Sequence, residues 1–122
     1  MSFIIPICLA VALGLFLVAK RSPNPTQIVR SLPPADRLFL ADELERITRL
    51  PLRTAEDEDA WYTATQETER RLRTRFTDAD SVVPHELFHY FHDADIHRKD
   101  PSYRIAQEEQ IVAFIRQLRQ QT

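Results

Sequence analysis

The amino-terminal segment constrains this chain more than any other feature of its sequence. Residues 3–19 form a run of 17 residues without a charged side chain, and Lys20 and Arg21 follow immediately. A helix of about 17 to 25 apolar residues is long enough to cross a bilayer. The sequence therefore predicts a membrane anchor at residues 1–20, with residues 3–19 in contact with the lipid.

The alternative interpretation of this segment is a cleaved signal peptide. Such a peptide begins with basic residues and ends with a small residue before the cleavage site. Residues 1–7 carry no Lys or Arg, and the bulky Leu17 lies near the end of the run, so we prefer a retained anchor. Because basic residues follow the run and none precede it, the positive-inside tendency predicts a single-pass protein of the cell or inner membrane with its C-terminal domain in the cytoplasm.

Prolines characterise the segment after the anchor. Residues 21–34 contain four of them: Pro23, Pro25, Pro33 and Pro34. A proline-rich stretch is extended and fairly stiff, so we expect a juxtamembrane linker here, with room for one helical turn over residues 27–32. The predicted soluble domain then comprises residues 35–122.

The periodicity of the soluble domain is helical. Apolar residues recur at spacings of three and four, and no stretch alternates with the period of two that a strand requires. Proline breaks divide the domain into four predicted helices, at about residues 34–49, 55–76, 84–97 and 101–120. The predicted fold class is all-α: one N-terminal transmembrane helix plus a small soluble bundle of about four helices.

Capping residues support two of these boundaries. Thr54 and Asp57 have the spacing of a capping box, and Asp100 before Pro101 is typical of a helix start. In the last helix, a set of apolar residues predicts the face that packs on the bundle: Ile105, Val112, Ile115 and Leu118, with Ile111 and Phe114 beside them.

Composition excludes several classes of function. The chain has one cysteine and one glycine. One cysteine excludes a disulfide scaffold and a thiolate zinc finger, and one glycine excludes a glycine-rich phosphate loop. The formal net charge of -2 argues against a nucleic-acid partner, because such proteins carry a basic excess.

One motif suggests chemistry. The segment His85-Glu86-Leu87-Phe88-His89 has the H-E-x-x-H pattern and in this respect resembles zinc metallopeptidases. The resemblance implies zinc ligands at His85, His89 and Glu109, with Glu86 as the general base on a zinc-bound water. Pro84 lies immediately before the motif, and no strand is predicted to align a substrate. A membrane-bound zinc metallopeptidase is therefore the alternative function, and we prefer a protein without catalytic residues or a cofactor.

A third hypothesis concerns the histidines alone. His85, His89 and His92 have the spacing i, i+4 and i+7, which places them on one face of a helix. Imidazoles change charge between pH 5 and 8, so this face would suit a pH or metal sensor. The competing interpretation is an amphipathic helix whose rings pack against neighbours and water.

The preferred function is that of an accessory, scaffolding or regulatory subunit of a membrane protein complex. The expected partners are other membrane-protein subunits, and self-association of the chain stays open. The surfaces expected to meet a partner are the long charged helix, the histidine face and the last helix, with these residues: Trp61, Arg70, Arg71, Arg73, His85, His89, His92, Ile111, Ile115 and Leu118.

Overall fold

The computed structural model describes residues 24–120. Every regular element in that range is helical, which confirms the all-α prediction for this part of the chain. Six α-helices and one short 3₁₀ helix follow one another: α1 Pro25–Ser31, α2 Pro34–Thr48, α3 Ala55–Arg75, the 3₁₀ helix Ala79–Ser81, α4 His85–His92, α5 Ala94–Lys99 and α6 Pro101–Gln120. The expected number of about four was too low, because the helical turn expected over residues 27–32 was assigned to the linker and the break between α4 and α5 was not predicted.

None of the helices within residues 24–120 is both long and apolar enough to cross a bilayer. The predicted anchor at residues 1–20 and its lipid contact at residues 3–19 lie outside the residues that the structure describes. They remain predictions from the sequence.

Helix α1 occupies half of the predicted linker and begins two residues before the single helical turn expected over residues 27–32. Asn24 caps it: the Asn24 side chain accepts a hydrogen bond from the backbone N–H of Gln27 at 2.9 Å, and the Gln27 side chain accepts one from the backbone N–H of Asn24 at 3.2 Å. Ile28 and Val29 are buried in the core. Packing of these two side chains makes Pro25–Ser31 a folded part of the domain.

Helices α2 and α3 agree with their predicted boundaries. At the start of α3, the Thr54 hydroxyl accepts a hydrogen bond from the Asp57 backbone N–H, and the Asp57 carboxylate accepts one from the Thr54 backbone N–H, both at 3.1 Å. This reciprocal pair satisfies two backbone donors that the first turn of a helix leaves free. The predicted capping box is confirmed.

The segment predicted as one helix over residues 84–97 is broken at Asp93, whose ψ of 29° is outside the helical range. The break frees two backbone groups that would bond to each other in a continuous helix, the Phe91 carbonyl and the Asp95 N–H. Two side chains of α3 take their place: Trp61 Nε1 donates to the Phe91 carbonyl at 3.1 Å, and the Tyr62 hydroxyl accepts from the Asp95 N–H at 3.3 Å. These tertiary contacts offset the loss of the helical bond.

Helix α6 starts as predicted, with the Asp100 carboxylate accepting a hydrogen bond from the Tyr103 backbone N–H at 3.2 Å. Its buried face differs from the predicted one. Ile105 and Val112 are exposed, at 57% and 43%, because each residue of an α-helix is rotated by about 100° from the next and the core lies along the neighbouring positions. The apolar residues that α6 buries are Ile111, Phe114, Ile115 and Leu118.

The core joins all six helices. Each helix contributes buried apolar side chains, α5 through Ala94, and α6 packs along α2. The largest fully buried side chains are Trp61, Tyr90, Phe91, Phe114, Ile28, Leu40, Leu44, Ile47, Leu72, Ile111, Leu118 and His97.

Candidate partner-binding groove

A groove of about 490 Å³ lies where the beginnings of α1 and α4 meet the middle of α6. Three apolar residues line it: Pro84, which immediately precedes α4, Leu87 of α4 and Phe114 of α6. All three side chains are buried, so they form a fixed apolar floor. The rim is polar and comprises Asn24, Glu86, Gln110 and Gln117, with Pro25 and Ala113 beside them.

Local backbone structure explains why Glu86 lies at this rim. Pro84 precedes the first turn of α4, and its carbonyl accepts a hydrogen bond from the Leu87 N–H at 2.9 Å. Leu87 is thereby directed into the core, and Glu86, one position earlier, is directed to the solvent. A carboxylate in the first turn of a helix is stabilised by the partial positive charge of that terminus. Glu86 therefore gives the groove a negative charge that costs α4 no stability.

The zinc site implied by the peptidase motif is not assembled. Within residues 24–120, no group of three or more His, Cys, Asp or Glu side chains is arranged to hold a metal ion. Helix α6 approaches α4 from the core side, where the Tyr90 hydroxyl donates to Glu108 Oε1 at 3.0 Å. His85, His89 and Glu109 are all exposed, so the structure does not bring these three predicted ligands together.

The three histidines of α4 do share an exposed face, as predicted. The rings of His85 and His89 are nearly perpendicular, with centroids 5.3 Å apart. His92 instead contacts α3, where its Nε2 lies 2.9 Å from Glu69 Oε1. Two histidines are too few to complete a structural zinc site, which takes four ligands, so the third and fourth would have to come from outside the described residues.

The arginines of α3 that were predicted to meet a partner are engaged within the domain. Arg71 pairs with Glu43 of α2, with its Nε 2.8 Å from Oε1. Arg70 pairs with Glu67, and Arg73 with Glu69. The hydrogen bond to Glu43 raises the pKa of Arg71, and the bond to Glu67 raises the pKa of Arg70. A partner that used Arg71 would first have to break a contact that joins α2 to α3.

Four apolar or aromatic residues predicted as partner contacts lie in the core. The exposed fraction of Trp61 is 0%, and its indole N–H is bonded to the Phe91 carbonyl. The other three are residues of α6 that pack against the remaining helices: Ile111, Ile115 and Leu118. Amphipathicity located these residues correctly on one face of a helix, but that face packs within the domain.

A polar network that was not predicted from the sequence joins α5 and α6. His97 is buried, and its Nε2 is within hydrogen-bonding distance of Gln107 Oε1. Gln107 Nε2 donates to the Tyr103 hydroxyl at 2.8 Å, and that hydroxyl donates to Asp93 Oδ2 at 2.7 Å. The bond to Asp93 raises the pKa of Tyr103. The network holds the corner between α4 and α5 against α6, and no residue spacing indicates it in advance.

Comparison with known proteins adds no relative. No protein-family model, no curated protein and no solved structure matches this chain.

Proposed function

We propose that this protein is a single-pass membrane-anchored helical protein that acts as an accessory or scaffolding subunit of a membrane protein complex. The observation that carries the proposal is the uncharged run at residues 3–19, which is followed after only a few residues by a folded domain. The basic residues after the run favour a cytoplasmic domain.

The short connection restricts which surface of the domain lies near the bilayer. From Ala19 to Asn24 the chain advances five residues, and an extended chain covers at most about 3.6 Å per residue, so the span is at most about 18 Å. Asn24 and Pro25 line the groove. An anchor at residues 1–20 would therefore hold the groove close to the membrane surface.

The chemistry of the groove suits a basic juxtamembrane segment of another membrane protein. The floor formed by Leu87 and Phe114 accepts an apolar side chain, and Glu86 offers a negative charge at the rim. Cytoplasmic segments next to membrane spans are enriched in Lys and Arg. Unlike charges across an interface favour encounter and fix the register of the partners, so we assign the partner contact to this groove.

A first experiment tests the anchor. We expect the full-length chain to remain with the membrane fraction after an alkaline carbonate wash, because a spanning apolar helix is held by the bilayer and not by surface charge. Recovery of an intact chain, still carrying residues 1–20, in the wash would contradict the proposal. Mass spectrometry of the recovered protein distinguishes this result from cleavage of the segment.

A second experiment tests the groove. A photoreactive amino acid at Gln110, on the rim, is compared with the same residue at Gln66, an exposed glutamine of α3. We expect Gln110 to crosslink to an integral membrane protein in intact membranes, with the crosslinked peptide next to a membrane span. Equal products from Gln66, or a crosslinked peptide far from any span, would contradict the assignment.

A charge reversal with a matched control completes this test. Glu86 and Glu56 are both exposed carboxylates in the first turn of a helix, α4 and α3 respectively. Glu86→Lys should lower the crosslink yield roughly tenfold, because it places a positive charge opposite a basic segment. Glu56→Lys makes the equivalent change at the start of α3, away from the groove, and should leave the crosslink yield unchanged.

A further inference from the structure

The outer face of α6 carries a stripe that nothing in the described part of the chain covers. Ile105, Glu109, Val112 and Arg116 follow one another at spacings of four, three and four, which places them on one side of the helix. Ile105 and Val112 are 57% and 43% exposed. The stripe thus alternates apolar and charged side chains along about three turns of an exposed helix.

Glu109 and Arg116 make no ion pair within residues 24–120, whereas the other three charged residues of α6 each make one. Arg104 pairs with Glu108 on the same helix at 2.8 Å, and Arg119 pairs with Asp42 of α2 at 2.9 Å. Glu109 and Arg116 lie on either side of Val112, two turns apart and of opposite sign. Both side chains can therefore form ion pairs with a second molecule.

We propose that the outer stripe of α6 binds the same stripe of a second copy of this chain, with the two helices antiparallel. In a two-fold contact centred near Val112, Glu109 of each copy faces Arg116 of the other, and Val112 packs against Ala113 of the other. A two-fold contact repeats each interaction, so both ion pairs form at once.

The charges disfavour two other simple arrangements. Parallel helices in register would place Glu109 beside Glu109 and Arg116 beside Arg116. An antiparallel contact with Ile105 against Val112 would place Glu109 against Glu108. Like charges in contact are destabilising, so both arrangements are disfavoured. The proposed contact involves one helix per copy and is smaller than a standard interface of about 1,600 Å², so we expect a weak dimer.

Site-directed crosslinking tests the geometry. The full-length chain carries one cysteine, Cys8, which Cys8→Ser removes. With Val112→Cys, a short bis-maleimide should join two copies, because both cysteines lie near the two-fold axis. With Ile105→Cys it should not, because the two cysteines are then separated by about 22 Å along the helix axes. Absence of a product at position 112, or any product at position 105, would overturn the proposal.

Charge reversal tests the ion pairs and also controls for folding. In the Val112→Cys background, Glu109→Arg and Arg116→Glu should each reduce the crosslinked fraction, roughly tenfold, because each creates two like-charge contacts. The double variant restores both pairs in reversed order and should restore the crosslink. Glu56→Arg, on α3, should have no effect. A double variant that stays as weak as the single variants would overturn the proposal.

Discussion

Replacement of Trp61 by Phe tests the reason for the break between α4 and α5. Trp61 is fully buried, and its indole N–H donates to the Phe91 carbonyl at 3.1 Å. Phe has no such donor, so Trp61→Phe leaves a buried carbonyl without its partner, at a cost of about 1–3 kcal/mol. The smaller ring adds about 1 kcal/mol through lost apolar contact. We therefore expect the free energy of unfolding to fall by about 2–4 kcal/mol.

Urea unfolding of the full-length chain in a mild detergent measures this loss, and circular dichroism at 222 nm follows the helices. For a domain of this size, about 2–4 kcal/mol corresponds to a lowering of Tm by roughly 10–20 °C. Tyr62→Phe is the control, because its hydroxyl bonds to the second freed group, the Asp95 N–H, at a site exposed to water. A loss below about 1 kcal/mol for Trp61→Phe, or an equal loss for Tyr62→Phe, would refute the proposed role of the indole.

Two further predictions concern charges within the domain. Arg71→Ala should destabilise the protein by about 2 kcal/mol in urea unfolding, because Glu43, whose side chain is 4% exposed, then keeps only its ion pair with the half-exposed Arg46. Arg70→Ala breaks an exposed pair and should cost less than about 1 kcal/mol, so equal losses would contradict the buried-pair argument. Burial, and secondarily Glu108, raises the pKa of Tyr90 above its ordinary value of 10.0. The unfolded chain then releases this proton first, so stability is complete below about pH 10 and falls at higher pH, by at most about 1.4 kcal/mol per pH unit. Tyr90→Phe should reduce this slope in urea unfolding at alkaline pH, and an unchanged slope would count against the assignment.

The sequence predicted those elements whose determinants are local. Thr54 and Asp57 are three residues apart and cap a helix by bonding to each other's backbone, so their spacing alone located the start of α3. Asp100 and Pro101 located the start of α6 in the same way. In each case the interaction that sets the boundary lies within a few neighbouring residues.

The sequence did not predict the features that depend on distant residues. The break at Asp93 requires Trp61 and Tyr62, which are about 30 positions away in the sequence, to satisfy the freed backbone groups. Helix α1 is stabilised because Ile28 and Val29 are buried against the other helices, although the prolines of this segment favoured an extended linker. The predicted partner residue Trp61 was misplaced for the same reason, since a local pattern does not distinguish a face that packs within the domain from one that meets another protein.

The ion pairs within the domain determine where a partner can bind without breaking a contact that stabilises the fold. The α3 arginines Arg70, Arg71 and Arg73 already have carboxylate partners, and a competitor at Arg71 would remove one of the two ion pairs of the buried Glu43. Glu86, Glu109 and Arg116 make no ion pair within residues 24–120, so a partner can pair with them without breaking a contact of the domain. This difference favours the groove beside Asn24 and the outer stripe of α6 as binding surfaces over the basic end of the long helix. The two surfaces can be tested independently, since Glu86→Lys changes the groove and the charge reversals at Glu109 and Arg116 change the stripe.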